Sequence, residues 1–164
     1  MDCLQINGRR RGVAMKIMQV TAEDQLRECL AIRREVFVYE QQVPPELEKD
    51  EYDALSAACI HLLAVDGGQP VGTARWVFYD KAKTTAKFQR LAVHKAYRGS
   101  GLGRQMIQAL ERSAAKHGAR SAILNGQLYL ETFYEKLGYV NISKEPFLDA
   151  GIWHLQFKKS LKQE

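Results

Sequence analysis

The chain is poor in cysteine, proline and long apolar runs. Its 164 residues include three cysteines and four prolines. Cys3, Cys29 and Cys59 have no metal-ligand spacing, and an odd number cannot pair off internally. A disulfide scaffold is therefore excluded, and no metal is expected. Cys29 and Cys59 read as buried structural thiols. No apolar run approaches the ~20 residues of a membrane helix, so no membrane partner is expected. The N-terminus lacks the apolar core of a secretory signal, and the expected location is cytoplasmic. There is no internal repeat and no low-complexity tract.

What is there suits one globular domain: 46% hydrophobic and 26% charged residues. The net charge is +5, and part of that excess sits in Arg9-Arg10-Arg11, offset by Asp2. Arginines beside glycine suggest a disordered tail. Residues 1–14 are thus expected to be an N-terminal extension, and 15–164 a single domain. Three arginines do not make a nucleic-acid site, so no nucleic-acid partner is expected. The remaining basic excess would help to steer a polyanionic cofactor.

Hydrophobic periodicity gives a mixed order of strands and helices. A strand over 16–20 leads to Thr21, an N-cap residue with Asp24 three positions on as a weak capping box. Leu26, Cys29, Leu30, Arg33 and Phe37 follow at helical spacing until Val43-Pro44-Pro45 ends the helix. Residues 46–53 form an acidic loop, read as a solvated charge run. Strands over 60–65 and 71–79 flank the turn Asp66-Gly67-Gly68-Gln69-Pro70. A strand over 86–93 precedes a helix whose inner face is Gly103, Met106, Ile107, Leu110 and Ala114, closed by Gly118. A strand over 121–126, a short helix over 130–137 and strands over 139–143 and 152–158 complete the chain. This order implies a three-layer α/β (α+β) fold with a mostly antiparallel sheet.

The most informative stretch is Arg98-Gly99-Ser100-Gly101-Leu102-Gly103, between the apolar run Leu91-Ala92-Val93 and the helix. Glycines allow close approach of backbone to a ligand. The first N–H groups of a helix have no internal partner and favour an anion. Three phosphate motifs compete. A P-loop needs Lys-Ser/Thr where this chain has Arg104-Gln105. The dinucleotide fingerprint needs a wider last spacing than Gly101 to Gly103. What remains is Arg-x-x-Gly-x-Gly, against the alternative of a glycine-rich turn without a ligand.

The flanks favour a ligand. From Arg90-Leu91-Ala92-Val93 through Arg104-Gln105-Met106-Ile107, the segment resembles motif A, the acetyl-CoA pyrophosphate loop of the GCN5-related N-acetyltransferase (GNAT) superfamily. Phe133-Tyr134-Glu135-Lys136-Leu137-Gly138-Tyr139 is similar to its motif B. The likeness covers residues 16–158. Ile32 to Pro44 and Asp149-Ala150-Gly151-Ile152-Trp153-His154 resemble a little-characterised bacterial branch, which usually has proline at the position of Trp153.

The resemblance implies a GNAT-like fold with helices on both sheet faces and a splayed strand pair holding acetyl-CoA, the cosubstrate. It implies transfer of an acetyl group to a primary amine. The loop from Arg98 to Gly103 (Arg98, Gly99, Ser100, Gly101, Leu102, Gly103), with Arg104, would hold the pyrophosphate, chiefly through backbone N–H groups. Arg98 reads equally as a solvated loop arginine. Leu91, Ala92 and Val93 would pair with the pantetheine arm like an added strand, and a main-chain N–H would polarise the thioester carbonyl. Asn125 resembles an asparagine that contacts pantetheine in relatives. Tyr134 is the candidate general acid, since a phenol near pKa ~10 can protonate a departing thiolate.

The base stays open. Glu48, Asp50, Glu51 and Asp53 could attract a cationic amine. His154 could be a base or a substrate contact. Arg33, at an otherwise apolar helical position, could face the cleft or snorkel past the core. Arg33, Glu51 and His154 are the substrate-site candidates. Direct attack in a ternary complex is favoured over relay through Cys29 or Cys59, because no activating base is near either in sequence. A non-catalytic acyl-CoA-binding regulatory module is the competing reading. The acceptor is a small-molecule or peptide amine: amino sugar, polyamine, aminoglycoside and protein amine all remain open. Relatives often pair, so a homodimer is a further expectation.

Overall fold

Alternating apolar residues fix a twisted sheet between two helical layers. The computed structural model describes residues 15–55 and 58–163. The extension expected over 1–14, with Cys3, lies outside the described residues. Along the chain run β1 (Lys16–Gln19), α1 (Glu23–Arg33), a π-helical turn (Arg34–Glu40), α2 (Pro45–Glu48), β2 (Ile60–Asp66) and β3 (Gln69–Phe78). Then come β4 (Thr85–Val93), α3 (Leu102–Lys116), β5 (Ser121–Gln127), α4 (Glu131–Lys136), β6 (Val140–Asn141), β7 (Phe147–Asp149) and β8 (Ile152–Ser160).

The sheet order is β1-β2-β3-β4-β5-β8-β6, with β7 also on β8. Neighbours are antiparallel except β4 and β5. Parallel neighbours need a crossover, and α3 supplies it. Side chains alternate across each strand, so the sheet has two cores. Met106, Ile107, Leu110 and Ala114 of α3 pack on one face with Leu62, Trp76, Phe88 and Leu124. Leu26, Cys29 and Ile32 of α1 pack on the other with Leu63 and Ala92. Adjacent residues Leu62 and Leu63 thus serve opposite layers.

Local differences from the sequence expectations have local causes. The N-cap of α1 is Ala22, not Thr21. Gln25 Oε1, not Asp24, reaches back and accepts from the N–H groups of Thr21 (2.8 Å) and Ala22 (3.2 Å). The helix runs past Arg33 as a wider turn, with Gln41 N–H donating to Val36 O at 3.2 Å. It turns away at Gln42, whose φ is 59°. The strand expected over 139–143 is only Val140–Asn141, and the helix expected over 130–137 begins as a 3₁₀ turn at Leu128–Leu130. β7 was not expected at all. It pairs Asp149 with Ile152 across a two-residue turn, Ala150-Gly151, with φ of 50° and 79°. Two residues at positive φ match the twist of a hairpin, but Ala is a poor advertisement for one.

Candidate active-site cleft

β4 and β5 pair from Thr85↔Ser121 to Phe88↔Leu124 and then part. On β4 the register against β3 jumps between Thr73↔Ala92 and Arg75↔Gln89. Ala74 therefore faces two residues, Arg90 and Leu91, and Arg90 sits at φ 56°. This is a β-bulge, which bends a strand and re-aims its side chains. Beyond Leu124, β5 keeps only β8 as a partner. Between the parted strands opens a cleft of about 870 Å³.

The glycine loop forms one wall. Gly99 and Gly101 have φ of 77° and 88°, and Gly101 is the N-cap of α3. The N–H groups of Leu102, Gly103 and Arg104 follow that cap, without intrahelical partners. Gly99, Gly101, Gly103 and Arg104 line the cleft. Ser100 and Leu102 offer backbone only: Ser100 Oγ–H donates to Tyr97 O, and the Leu102 side chain is buried in the α3 core. Arg98 lines the cleft edge and is also pinned. Its Nε–H donates to Val93 O at 3.1 Å and its Nη2 to Glu40 Oε2 at 2.6 Å. Glu40 thereby ties the π-helical turn to the loop.

Leu91 and Val93 face the cleft, while Ala92 points into the α1 core. Asn125 is in the opposite wall, its Oδ1 accepting from Gln156 Nε2 at 3.3 Å. Tyr134 enters from α4, packed between Phe133 (ring centroids 5.0 Å apart) and Phe157 (5.2 Å). Burial, with a smaller contribution from Tyr129, pushes its hydroxyl well above the ordinary phenol value.

Three acids of the loop, Glu48, Asp50 and Asp53, are not solvated; they fold inward onto arginines. Arg33 and Arg75 are each 1% exposed. Arg33 bonds Glu48 (2.5 Å) and Asp53 (2.6 Å); Arg75 bonds Asp50 (2.5 Å) and Asp53 (2.9 Å). Arg90 adds Asp50 at 3.4 Å and donates to Glu48 O at 3.1 Å. An unpaired buried guanidinium is too costly to keep, so the loop supplies counter-charges. Arg33 accordingly neither faces the cleft nor snorkels. Glu51 stays exposed, outside the residues that line the cleft. Burial raises the Asp50 and Asp53 carboxyls, but bonds from Arg75 and Arg33 and from backbone N–H groups outweigh it and hold both below the usual range. Arg75 and Arg90 were missed by the sequence reading, although an arginine inside the apolar run of β3 was a signal for Arg75.

His154 lies in the cleft wall. Gln127, opposite it on β5, donates from Nε2 to Gln41 Oε1 at 2.9 Å, bridging to the end of the π-helical turn. Cys29 is buried as expected, but Cys59 is only half-buried. Burial raises their thiols to about 11 and about 12. No cluster of three His, Cys, Asp or Glu that could hold a metal occurs among the described residues. No helix among them is long and apolar enough to cross a membrane.

A parted parallel strand pair beside a glycine-capped helix is the arrangement that the resemblance to the GNAT superfamily implies. Residues 19–161 match the acetyltransferase (GNAT) domain family, and the chain belongs to it. The uncharacterized N-acetyltransferase YjcF of Bacillus subtilis is 43% identical over 145 residues, 88% of this chain and 99% of that protein. A crystal structure from Lactobacillus plantarum superposes with a TM-score of 0.81 at 29% identity, covering 91% of this chain and 99% of its own. An acyl-CoA N-acyltransferase from Pseudomonas aeruginosa gives a TM-score of 0.77 at 26% identity, covering 90% and 99%.

Proposed function

We propose that the protein transfers the acetyl group of acetyl-CoA to a primary amine by direct attack in a ternary complex. The observation that carries this reading is the continuous cleft from the glycine loop, between β4 and β5, to Tyr134. Unpaired N–H groups at the start of α3 suit a diphosphate, each charge-assisted bond contributing roughly 1.5–3 kcal/mol. The free edge of β4 at Leu91 to Val93 suits an amide-bearing arm and can present an N–H to the thioester carbonyl. Asn125 faces the same arm from β5. The Tyr134 hydroxyl gives its proton to the sulfur as the carbon–sulfur bond breaks. A raised phenol keeps that proton available at neutral pH. Holding both reactants in the cleft supplies up to ~7–11 kcal/mol of the barrier reduction.

The acidic loop no longer supports a preference for cationic acceptors. Three carboxylates, Glu48, Asp50 and Asp53, are matched by three guanidiniums, Arg33, Arg75 and Arg90. The test is acceptor-dependent thiol release from acetyl-CoA over a broad amine panel, with initial rates in both substrates. Intersecting lines support the ternary complex, and parallel lines would show an acyl-enzyme instead. Tight acetyl-CoA binding with no release for any amine would make the protein a binding module.

A further inference from the structure

The structure assigns His154 as the general base that takes the amine proton; this rests on the transferase reading above. The imidazole is fixed by two contacts. Its Nδ1 lies 2.7 Å from the carbonyl oxygen of Ile152. A carbonyl can only accept, so Nδ1 carries the hydrogen, and Nε2 of the neutral ring holds the lone pair. Phe147 stacks on the ring at 6.1 Å with an interplanar angle of 24°. No buried polar side-chain atom among the described residues lacks a partner. Nε2 has no bonding partner among them, so it is not sealed in the interior, and His154 is one of the residues that line the cleft.

Register then sets acid and base on opposite sides of one strand. His154 pairs with Gln127, and Leu155 with Gly126. Leu155 shares the α3 core with Tyr134 and Phe157, and a Cβ on Gly126 would point at the Tyr134 ring. One residue on, the pleat turns Gln127 and His154 to the other face. Tyr134 thus reaches the cleft from the α4 side and His154 from the opposite side. A base and an acid that reach one cleft from opposite sides can serve the attacking nitrogen and the departing sulfur of the same thioester carbon.

The step balances. The neutral amine attacks the thioester carbonyl carbon and the carbon–nitrogen bond forms. Nε2 takes one proton from that nitrogen. The carbon–sulfur bond breaks, and the sulfur takes the hydroxyl proton of Tyr134. His154 returns its proton to water and Tyr134 regains one, leaving amide and free thiol. Titratable neighbours are few. β5 and β6 bring none; β7 brings Asp149; the turn before it brings exposed Lys144 and Glu145; the 3₁₀ turn brings Tyr129. Glu48, Asp50 and Arg90 share the cleft but are bonded to one another or to buried arginines.

The experiment uses the whole chain with the best amine from the panel. His154→Gln should lower kcat by about 10²-fold or more while acetyl-CoA KM changes little. His154→Ala should regain part of the lost rate when free imidazole is added, which a structural role would not allow. Nitrogen-15 spectra of the parent should show the Nδ1–H tautomer at His154, whether or not an acceptor is known. Full activity in His154→Gln, loss without imidazole rescue, or an Nε2–H tautomer would each overturn the assignment. A parent that releases no thiol with any amine overturns the transferase reading instead, and the base falls with it.

Discussion

Gly126 and Tyr134 are in contact so close that no other residue fits between the strand and the ring. A Cβ on Gly126 would stand 2.5 Å from Tyr134 Cε2 and 2.8 Å from Cδ2, with Phe157 at 3.0 Å. Space, not backbone conformation, makes this position glycine. Gly126→Ala must move the Tyr134 ring, and a misplacement of about 1 Å can cost ~10²-fold in rate. We expect kcat to fall by about 10-fold to 10²-fold, with acetyl-CoA affinity little changed. Tyr134→Phe should show the same split. Added to Tyr134→Phe, Gly126→Ala should cost little more, because the hydroxyl it displaces is gone. Additive losses would separate Gly126 from the tyrosine.

The buried phenol also has a pH signature. Because burial raises Tyr134, the parent should keep its turnover on the alkaline side up to about pH 10, the ordinary phenol value. For stability the same shift works the other way. A group harder to ionise folded than unfolded contributes fully below its unfolded value near ~10 and loses that contribution as pH rises further. Tyr139, raised by burial and by Glu111, adds to the loss. Chemical denaturation from pH 8 to 11 should show falling stability, and Tyr134→Phe should flatten the fall.

Much of the cleft was legible because its signals are local. Gly99, Gly101 and Gly103 mark the loop by spacing, and Tyr134 follows α3 in a second short motif. The arginine network was not legible, because it joins residues far apart in sequence. Arg33 finds Asp53 and Arg75 finds Asp50 only once α1 is packed against β3. Without those partners, four acids within six positions read as solvent-facing. β7 failed for a different reason: Ala150 stands where a two-residue hairpin turn usually has Asn, Asp or Gly, and only pairing with β8 reveals the strand. The parting of β4 from β5 came from resemblance, since nothing in Arg90 itself announces a bulge.

Glycine at the start of α3 should matter for binding as well as for folding. Gly101 has φ 88°, and a Cβ there would meet nothing within 4 Å. Gly118 at the far end of the helix, φ 97°, is equally open. Alanine at either site carries a similar left-handed strain of roughly 1–2 kcal/mol. Only at Gly101 would the backbone also face the diphosphate in the proposed complex. Gly101→Ala should raise the acetyl-CoA Kd by about 10-fold, the loss of roughly one charge-assisted hydrogen bond. Gly118→Ala should melt similarly early and bind normally. Equal binding in the two variants would take the diphosphate away from this loop.

The charge network should govern stability at low pH. Removing one member of a buried pair leaves its partner uncompensated, so Arg33→Met should destabilise by about 3–5 kcal/mol in urea. The carboxyls of Asp50 and Asp53 sit lower in the fold than in the unfolded chain. Their contribution is present above the unfolded value near ~3.9 and disappears as pH falls through the folded values. Stability should therefore drop below about pH 4 in the parent. Asp53→Asn should weaken that acid dependence while lowering stability at neutral pH.

Thiol chemistry gives the last expectation, and it bears on the route of transfer. A covalent relay needs a thiolate, yet burial holds Cys29 at about 11 and Cys59 at about 12. Thr73 and Arg33 pull Cys29 down only in part, and Arg75 does the same for Cys59. At pH 8 less than about one thiol in a hundred at either site would be ionised. Iodoacetamide at that pH should alkylate both slowly compared with a small free thiol, and Cys29→Ser and Cys59→Ser should retain kcat. A serine variant that folds normally but loses turnover, with parallel initial-rate lines in the parent, would replace direct attack by a sulfur-borne acetyl group.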